Sequence, residues 1–584
     1  MDFELTKERE VYIDATGKVI LNACPGSGKT TTIGYKLAKL TKDWKKNNYH
    51  YCGIACLSFT NVAKEEIHKK YKEVTQTSLS HPHLVSTIDS FINTYITLPY
   101  YQYLIKAKIR PTIFDYSEFN ETLYNQKWIM NYRNNKKQPL FYFYPPGNFH
   151  FSINGDFNLP YQYNQTDVSK DVFEKYRSAI FKWIVSNGNL KVGDSAYFSL
   201  QILKSFTRIA QWLAKRFPHI IIDEAQDTSE IQHTIIGVLL ENGLNNVELI
   251  GDPYQAVYEW REARPDLFLK KFEDVKNWKP LYLNQSRRSS QNIVNYFSVL
   301  RKNTDPPISA INQDCLIPLK VYKYQNGKIN DIVPKYESYL KELGLKKNQI
   351  VVRGNALKDK LLGKKGDAEP WKSPLPYQII NSKNQFDGKA IKNAINQIRK
   401  IYIDLQFPDM DYKMRKEKES ELTIDSSINA ILFNVLKNLP SFNYTISDWS
   451  NQTQLYIKEK FSLSNSIDFQ IKQRKSSRFN PEILNEQIKL HFHRAVATYE
   501  TPITTIHQVK GMTFDSLLFI LNEKSHKENI TFSDIIGTDI FPEEKQRLIY
   551  VAMSRPRYLL ALGVPETVSD EEIKRKFGDN ISIE

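Results

Sequence analysis

The stretch Ala23-Cys24-Pro25-Gly26-Ser27-Gly28-Lys29-Thr30 constrains this chain more than any other. It follows the apolar run Val19-Ile20-Leu21 and precedes a helical pattern from Thr31 to Leu40, so the local order is strand, glycine-rich loop, helix. Glycines free backbone N–H groups to wrap phosphate oxygens, a lysine beside them reaches the β and γ oxygens, and the next hydroxyl can hold Mg²⁺. The stretch therefore predicts a nucleotide-phosphate cradle made by Ala23, Gly26, Ser27, Gly28, Lys29, Thr30 and Thr31, with Thr30 on the metal. Ala23 stands where the general pattern has its first glycine, which a loop tolerates where φ is negative.

A second constellation answers the first. Ile220-Ile221-Ile222 ends in Asp223-Glu224-Ala225-Gln226-Asp227, placing two carboxylates at the end of a buried strand, where open α/β sheets bind ligands. Asp223 is positioned to hold Mg²⁺ and Glu224 to polarise an attacking water, the division of labour that phosphoryl transfer to water requires. Further strands are read at Ile54 to Phe59, Val247 to Gly251, Ile350 to Val352 and Leu517 to Ile520, with another helix from Ala63 to Tyr71. Strands alternating with helices predict an α/β fold of parallel sheets with helices on both faces.

At 584 residues the chain exceeds one compact core, and a net charge of +15 favours an anionic partner, nucleic acid before all others. Cys24, Cys52, Cys56 and Cys315 have no paired CxxC spacing, which excludes a disulfide framework and a zinc module and predicts a reducing, cytoplasmic setting. There is neither a signal-peptide pattern at Met1 nor an apolar run of about 18 residues, so no membrane association is expected.

Taken in order, the motifs resemble superfamily 1 helicases of the UvrD/Rep/PcrA type. Besides the phosphate loop and Asp223-Glu224-Ala225-Gln226-Asp227, the chain carries Ser58-Phe59-Thr60-Asn61-x-Ala63, Thr87-Ile88-Asp89-Ser90-Phe91 and Gly251-Asp252-Pro253-Tyr254-Gln255-Ala256-Val257-Tyr258-Glu259-Trp260-Arg261. Leu283 to Ser290, Thr505-Ile506-His507-Gln508-Val509-Lys510-Gly511, and Tyr550-Val551-Ala552-Met553-Ser554-Arg555 complete the set. The resemblance implies two RecA-like P-loop NTPase cores with two inserted, mainly helical subdomains, and hydrolysis of ATP with Mg²⁺ in the cleft between the cores. It implies that Gln255 senses the γ-phosphate, that Arg288 and Arg555 contact it from the second core, and that Gly511 lies on the nucleotide side. Single-stranded DNA or DNA ends would be held by Phe59, Thr60, Asn61, Thr87, Tyr258, Trp260 and His507, with movement 3′ to 5′.

Three positions depart from the family pattern. Arg9 stands where the family's adenine-reading glutamine is expected, Arg287 replaces the tyrosine that stacks on adenine, and Thr513 replaces a sugar-contacting glutamate. All three concern the base and sugar, so phosphate chemistry is expected to survive with a looser nucleotide preference. The expected domains are a first core (1A) from 1–93 and 193–285, an insertion (1B) at 94–192, a second core (2A) from 286–365 and 491–584, and an insertion (2B) at 366–490. The aromatics from Leu140 to Tyr144 and from Phe149 to Phe151, around Pro145-Pro146-Gly147, read as a hairpin-like core of the first insertion. Beyond Arg557 too little chain remains for an appended nuclease domain. A compact architecture without a nuclease also resembles the UvrD-like subunit of Gabija antiphage systems, which implies an alternative: a DNA-sensing NTPase that activates a partner nuclease of the OLD family. An RNA motor is the third reading, separable by whether RNA or DNA stimulates turnover.

Overall fold

The computed structural model describes residues 4–44, 48–159, 168–258, 262–311, 317–325, 327–362, 370–408, 410, 412–472, 481–492, 499–526, 529–537 and 539–584. Trp260, Cys315 and Lys45-Lys46 lie outside them. Two compact units form: Met1–Gly354 with Thr501–Glu584, and Asn355–Glu500.

The first unit holds both sheets. It begins with α1 (Lys7–Asp14), β1 (Lys18–Ala23), α2 (Lys29–Lys42), β2 (Ile54–Ser58), α3 (Asn61–Thr75) and β3 (Leu84–Thr87). After an insertion the chain resumes with α4 (Val192–Ser205), β4 (His219–Ile222), α5 (Glu230–Glu241), β5 (Asn246–Gly251) and β6 (Lys279–Leu283). The strands assemble in the order β6-β1-β5-β4-β2-β3, every neighbouring pair parallel. Ile20, Ile54, Ile221 and Leu249 are fully buried, as strands covered on both faces require. The phosphate loop leaves β1 and the Asp-Glu pair leaves β4, so both lie at the carboxyl edge of one sheet.

The second sheet follows the same rule. Its elements are α6 (Gln291–Ser298), β7 (Leu319–Tyr324), α7 (Ile332–Leu343), β8 (Asn348–Val352), β9 (Ile503–Thr505), β10 (Phe514–Ile520), α8 (Glu544–Met553), β11 (Pro556–Pro565) and β12 (Ile581–Ile583). The order is β9-β8-β10-β11-β7-β12, again all parallel. These are two RecA-like α/β cores. The strands read from sequence all form, whereas β3, β6, β7, β9, β11 and β12 went unread, because short strands, and runs broken by polar residues or proline, carry little period-two signal.

The first insertion departs from its hairpin expectation. Leu140–Tyr142 and Pro146–Asn148 are single 3-10 turns, and the antiparallel pair is instead His150–Phe151 with Phe157–Asn158. Pro139, Pro145 and Pro146 lack the N–H groups a ladder needs. Its aromatics do build the core: Phe149, Phe151 and Tyr176 are buried, while Tyr142 and Phe143 are exposed. The second unit is helical, with Leu375–Asp387, Ile391–Gln406, Tyr412–Ile424, Ser426–Lys437 and Ile446–Lys460 packed around Trp371, Ile398, Leu436 and Trp449. Among the described residues no helix is long and apolar enough to cross a membrane, and no cluster of three metal-ligating side chains occurs. Cys24, Cys52 and Cys56 are buried free thiols.

Candidate active site

Gly28 opens α2 with φ 80°, and Gly26 before it has φ 77°, conformations in which a side chain is strained. Ala23 is buried as the last residue of β1, and Thr30 and Thr31 sit half-buried on the first turn of α2. Lys29 projects from the same turn to within 3.4 Å of Glu224. Burial alone would lower its pKa, but Glu224, Asp223 and Asp252 around it raise the net value.

Asp223 and Glu224 are shifted in opposite directions. Burial, then the Glu224 charge, lifts Asp223 above the usual carboxylate range. Burial works against Glu224 as well, but Lys29 and Lys510 hold it well below that range, ready to accept a hydrogen bond from water. Glu224 has φ 56°, a left-handed conformation that costs a non-glycine residue about 1 kcal/mol and re-aims its side chain off the strand axis.

Gln226 fixes that geometry, a role the motif alone did not assign. Its Nε2 donates to Glu224 Oε2 at 2.5 Å, and its Oε1 accepts from the Asp252 N–H at 3.2 Å. Gly251 makes room for it, since a methyl there would overlap Gln226 Oε1. Gly251→Ala is therefore expected to cost about 1–3 kcal/mol of stability by overpacking, and to lower hydrolysis far more than nucleotide affinity. Thermal unfolding and a KM against kcat comparison check both parts.

The second core reaches this cleft directly. Arg287 N–H donates to the Gly26 carbonyl at 2.9 Å and Ser286 Oγ to the Pro25 carbonyl at 2.9 Å, so the segment carrying Arg288 lies against the phosphate loop. Arg288 Nη1 donates to the Ser554 carbonyl at 3.2 Å, next to Arg555. Arg555, 1% exposed, donates to Gln255 Oε1 at 2.6 Å, and Gln255 Nε2 donates to Asp252 at 2.7 Å. Burial, then the neighbouring Arg288, push the Arg555 pKa down to about 9. Like charges in proximity disfavour one another's charged form, and an anion favours it. Tyr254 extends the link from the other direction, its ring packed in the second core's apolar cluster and its hydroxyl donating to Asp305.

Aromatic side chains flank the same cleft. Phe59 and Tyr258 stack with centroids 5.4 Å apart, and Tyr258 and His507 lie nearly parallel at 6.4 Å. Lys510 Nζ sits 4.5 Å over the Tyr258 ring and 2.5 Å from Asp227, tying the cores together. Thr60 and Thr87 cap α3 and the Ile88–Ile92 helix, accepting from Ala63 and Ser90. Asn61 is exposed beside Thr60, and Gly511 turns with φ 82° in open space.

Whether the residues suit a Mg²⁺-bound triphosphate can be tested on orphaned polar atoms. Ser27 Oγ is buried with no hydrogen-bond partner among the described residues, in the middle of the loop. With Lys29 on that loop and the segment carrying Arg288 bonded to its Pro25 and Gly26 carbonyls, cationic and hydroxyl donors gather at one loop, which suits a triphosphate.

Residues 5–276 match the family described as UvrD/REP helicase N-terminal domain, and residues 463–566 match the UvrD-like helicase C-terminal domain. Among curated proteins, the chain is 22% identical to a DNA helicase II homolog of Mycoplasma capricolum subsp. capricolum over 93% of this chain and 81% of that protein. It is 23% identical to the Gabija protein GajB of Bacillus cereus over 94% of this chain and 96% of that one. It is 22% identical to the ATP-dependent DNA helicase PcrA of Staphylococcus epidermidis over 68% of this chain and 53% of PcrA. Two parallel-sheet cores meeting at one phosphate loop, matched in sequence across both, make this chain a member of the UvrD-like helicase family of DNA-dependent ATPases.

Proposed function

We propose that this chain hydrolyses ATP with Mg²⁺ in the cleft between its cores and converts each cycle into 3′ to 5′ movement on single-stranded DNA. The observation that carries this reading is the chain of contacts Glu224–Gln226–Asp252–Gln255–Arg555, which runs from the water-polarising carboxylate of one core to a guanidinium of the other. Mg²⁺ held by Thr30 and Asp223 would neutralise phosphate charge. Lys29 neutralises the terminal phosphates, Glu224 orients the water, and Arg288 with Arg555 complete charge stabilisation only when the second core is close. The same segment that carries Gln255 carries Tyr258, so a change at the phosphate is felt three residues later at the base-stacking ring.

Hydrolysis measured with and without single-stranded DNA tests the coupling. Tyr258→Ala and Trp260→Ala are expected to reduce DNA-stimulated turnover more than basal turnover, by an amount reflecting about 1–3 kcal/mol per stacked base. Full DNA stimulation in both variants would remove the stacking role. Displacement of a block at one or the other DNA end measures polarity.

A second reading is favoured by one observation, the near end-to-end match to a Gabija protein. In it the same motor senses DNA in the cytoplasm and licenses a partner nuclease of the OLD family. Co-purification with such a nuclease, or its gene alongside, supports this reading, and nuclease-independent unwinding argues for the first.

A further inference from the structure

Arg555 does not meet the first core alone. It follows the end of α8, and two side chains of that helix touch the same short segment, Asp252 to Ala256. Arg547 Nε donates to the Ala256 carbonyl at 2.7 Å, and Tyr550 Oη lies 3.5 Å from Asp252 Oδ2. Being three residues apart, Arg547 and Tyr550 share one face of α8. With Arg555 Nη2 on Gln255 Oε1, this gives α8 a contact near its start, one at its middle and one beyond its end. All three side chains are buried.

Arg547 fastens main chain to main chain. Besides the Ala256 bond, its Nη1 donates to the Pro542 carbonyl at 2.5 Å, so one planar fork joins a carbonyl of each core. The guanidinium lies 5.1 Å over the Phe541 ring, and Phe541 in turn packs 5.5 Å from Tyr254. Burying a cation is costly, and an apolar side chain of similar volume packs as well. What the guanidinium adds is direction, since its donors leave in a fixed plane that a lysine cannot reproduce. Ala256 stands next to Gln255, which Arg555 contacts, and two residues before Tyr258, which stacks on Phe59. The carbonyl gripped by Arg547 therefore belongs to the stretch of backbone that links the phosphate contact to the stacking ring.

We propose that Arg547 is a positioning residue that sets Arg555 on Gln255 in response to DNA. A base seated on Tyr258 shifts the backbone at Ala256, Arg547 carries that shift into α8, and the helix, a rigid strut of about two turns, re-seats the arginine beyond its end. This deepens the coupled-hydrolysis reading above and rests on it.

The test uses the full chain, with kcat and KM for ATP measured with and without a single-stranded oligothymidylate. In Arg547→Met, kcat with DNA is expected to fall by about tenfold to a hundredfold, the scale of a misplacement of about 1 Å, with a smaller fall without DNA and KM for ATP unmoved. Arg547→Lys, which keeps the charge but not the fork, is expected to lose most of the same stimulation. Should both variants fold poorly, Phe541→Leu decides by the same ratio, because it removes only the ring beneath the guanidinium, and a lower stimulation is expected there too. A proportional fall of both rates, with stimulation intact, would make Arg547 a purely structural residue and overturn the proposal. So would full stimulation in Arg547→Lys, which would leave charge alone at work, or a raised KM with kcat retained. If the unaltered protein shows no stimulation by DNA, the coupling reading falls together with this one, whereas a stimulated parent with unchanged variants sinks only the role of Arg547.

Discussion

Glu224→Gln is expected to abolish DNA-stimulated hydrolysis while leaving nucleotide binding intact. The amide keeps the side chain's size and its contact with Gln226, but it no longer carries the charge that Lys29 and Lys510 hold ionised, so water is not polarised. Arg555→Ala should act at the same step from the other core. Arginines delivered to the γ-phosphoryl in related chemistry are worth about 10³–10⁵ in rate. The effect here should fall within that range and appear in kcat rather than KM, because Arg555 reaches the site through Gln255. Lys29→Ala provides the contrast: it removes a buried cation from the phosphate loop itself, so binding and turnover fall together. Single-turnover hydrolysis with a parallel binding titration separates these cases. Glu224→Gln turnover within tenfold of the unaltered protein would remove Glu224 from the mechanism.

Lys36→Met carries the largest expected stability loss. Lys36 and Glu248 are fully buried and paired at 2.8 Å, with Tyr12 Oη donating to Glu248 at 2.7 Å and His219 Nε2 at 2.6 Å from it. Removing the ammonium leaves the Glu248 charge inside the first core and uncaps the end of α1. Breaking one partner of a buried pair costs about 3–5 kcal/mol, whereas replacing both with apolar groups is often neutral. Unfolding of Lys36→Met should therefore shift sharply, and Lys36→Met combined with Glu248→Met should recover most of the loss. A single variant as stable as the parent would show that the cluster adds nothing to the core.

The second of these devices was invisible in the sequence reading, although it left a trace. A glutamate inside the apolar run Val247 to Gly251, and a lysine two turns after Lys29 on the buried side of α2, are charges where burial is expected. Each alone reads as a surface residue. They announce a site only when β5 and α2 are known to pack together. Gln226 is a similar case: it lies within a motif that was read, but its task depends on Gly251, which is 25 residues away in sequence and adjacent in space.

What the chain determined by itself was local. Strand-loop-helix order, glycines at the phosphate turns, paired acids at a strand end and the succession of motifs all follow from neighbours within a few residues, where backbone geometry and side-chain chemistry are legible in one dimension. Tertiary structure decided what those motifs do to one another. Arg555 meets Gln255 across 300 residues and Lys510 meets Asp227 across 283. Such pairs have no periodicity to reveal them, because their approach is set by how two separately wound sheets pack. The placement of Arg9 beside Gly28 is of the same kind. The sequence showed an arginine in an unexpected position, and only the packing of α1 against the loop put its guanidinium on the Ser27 carbonyl.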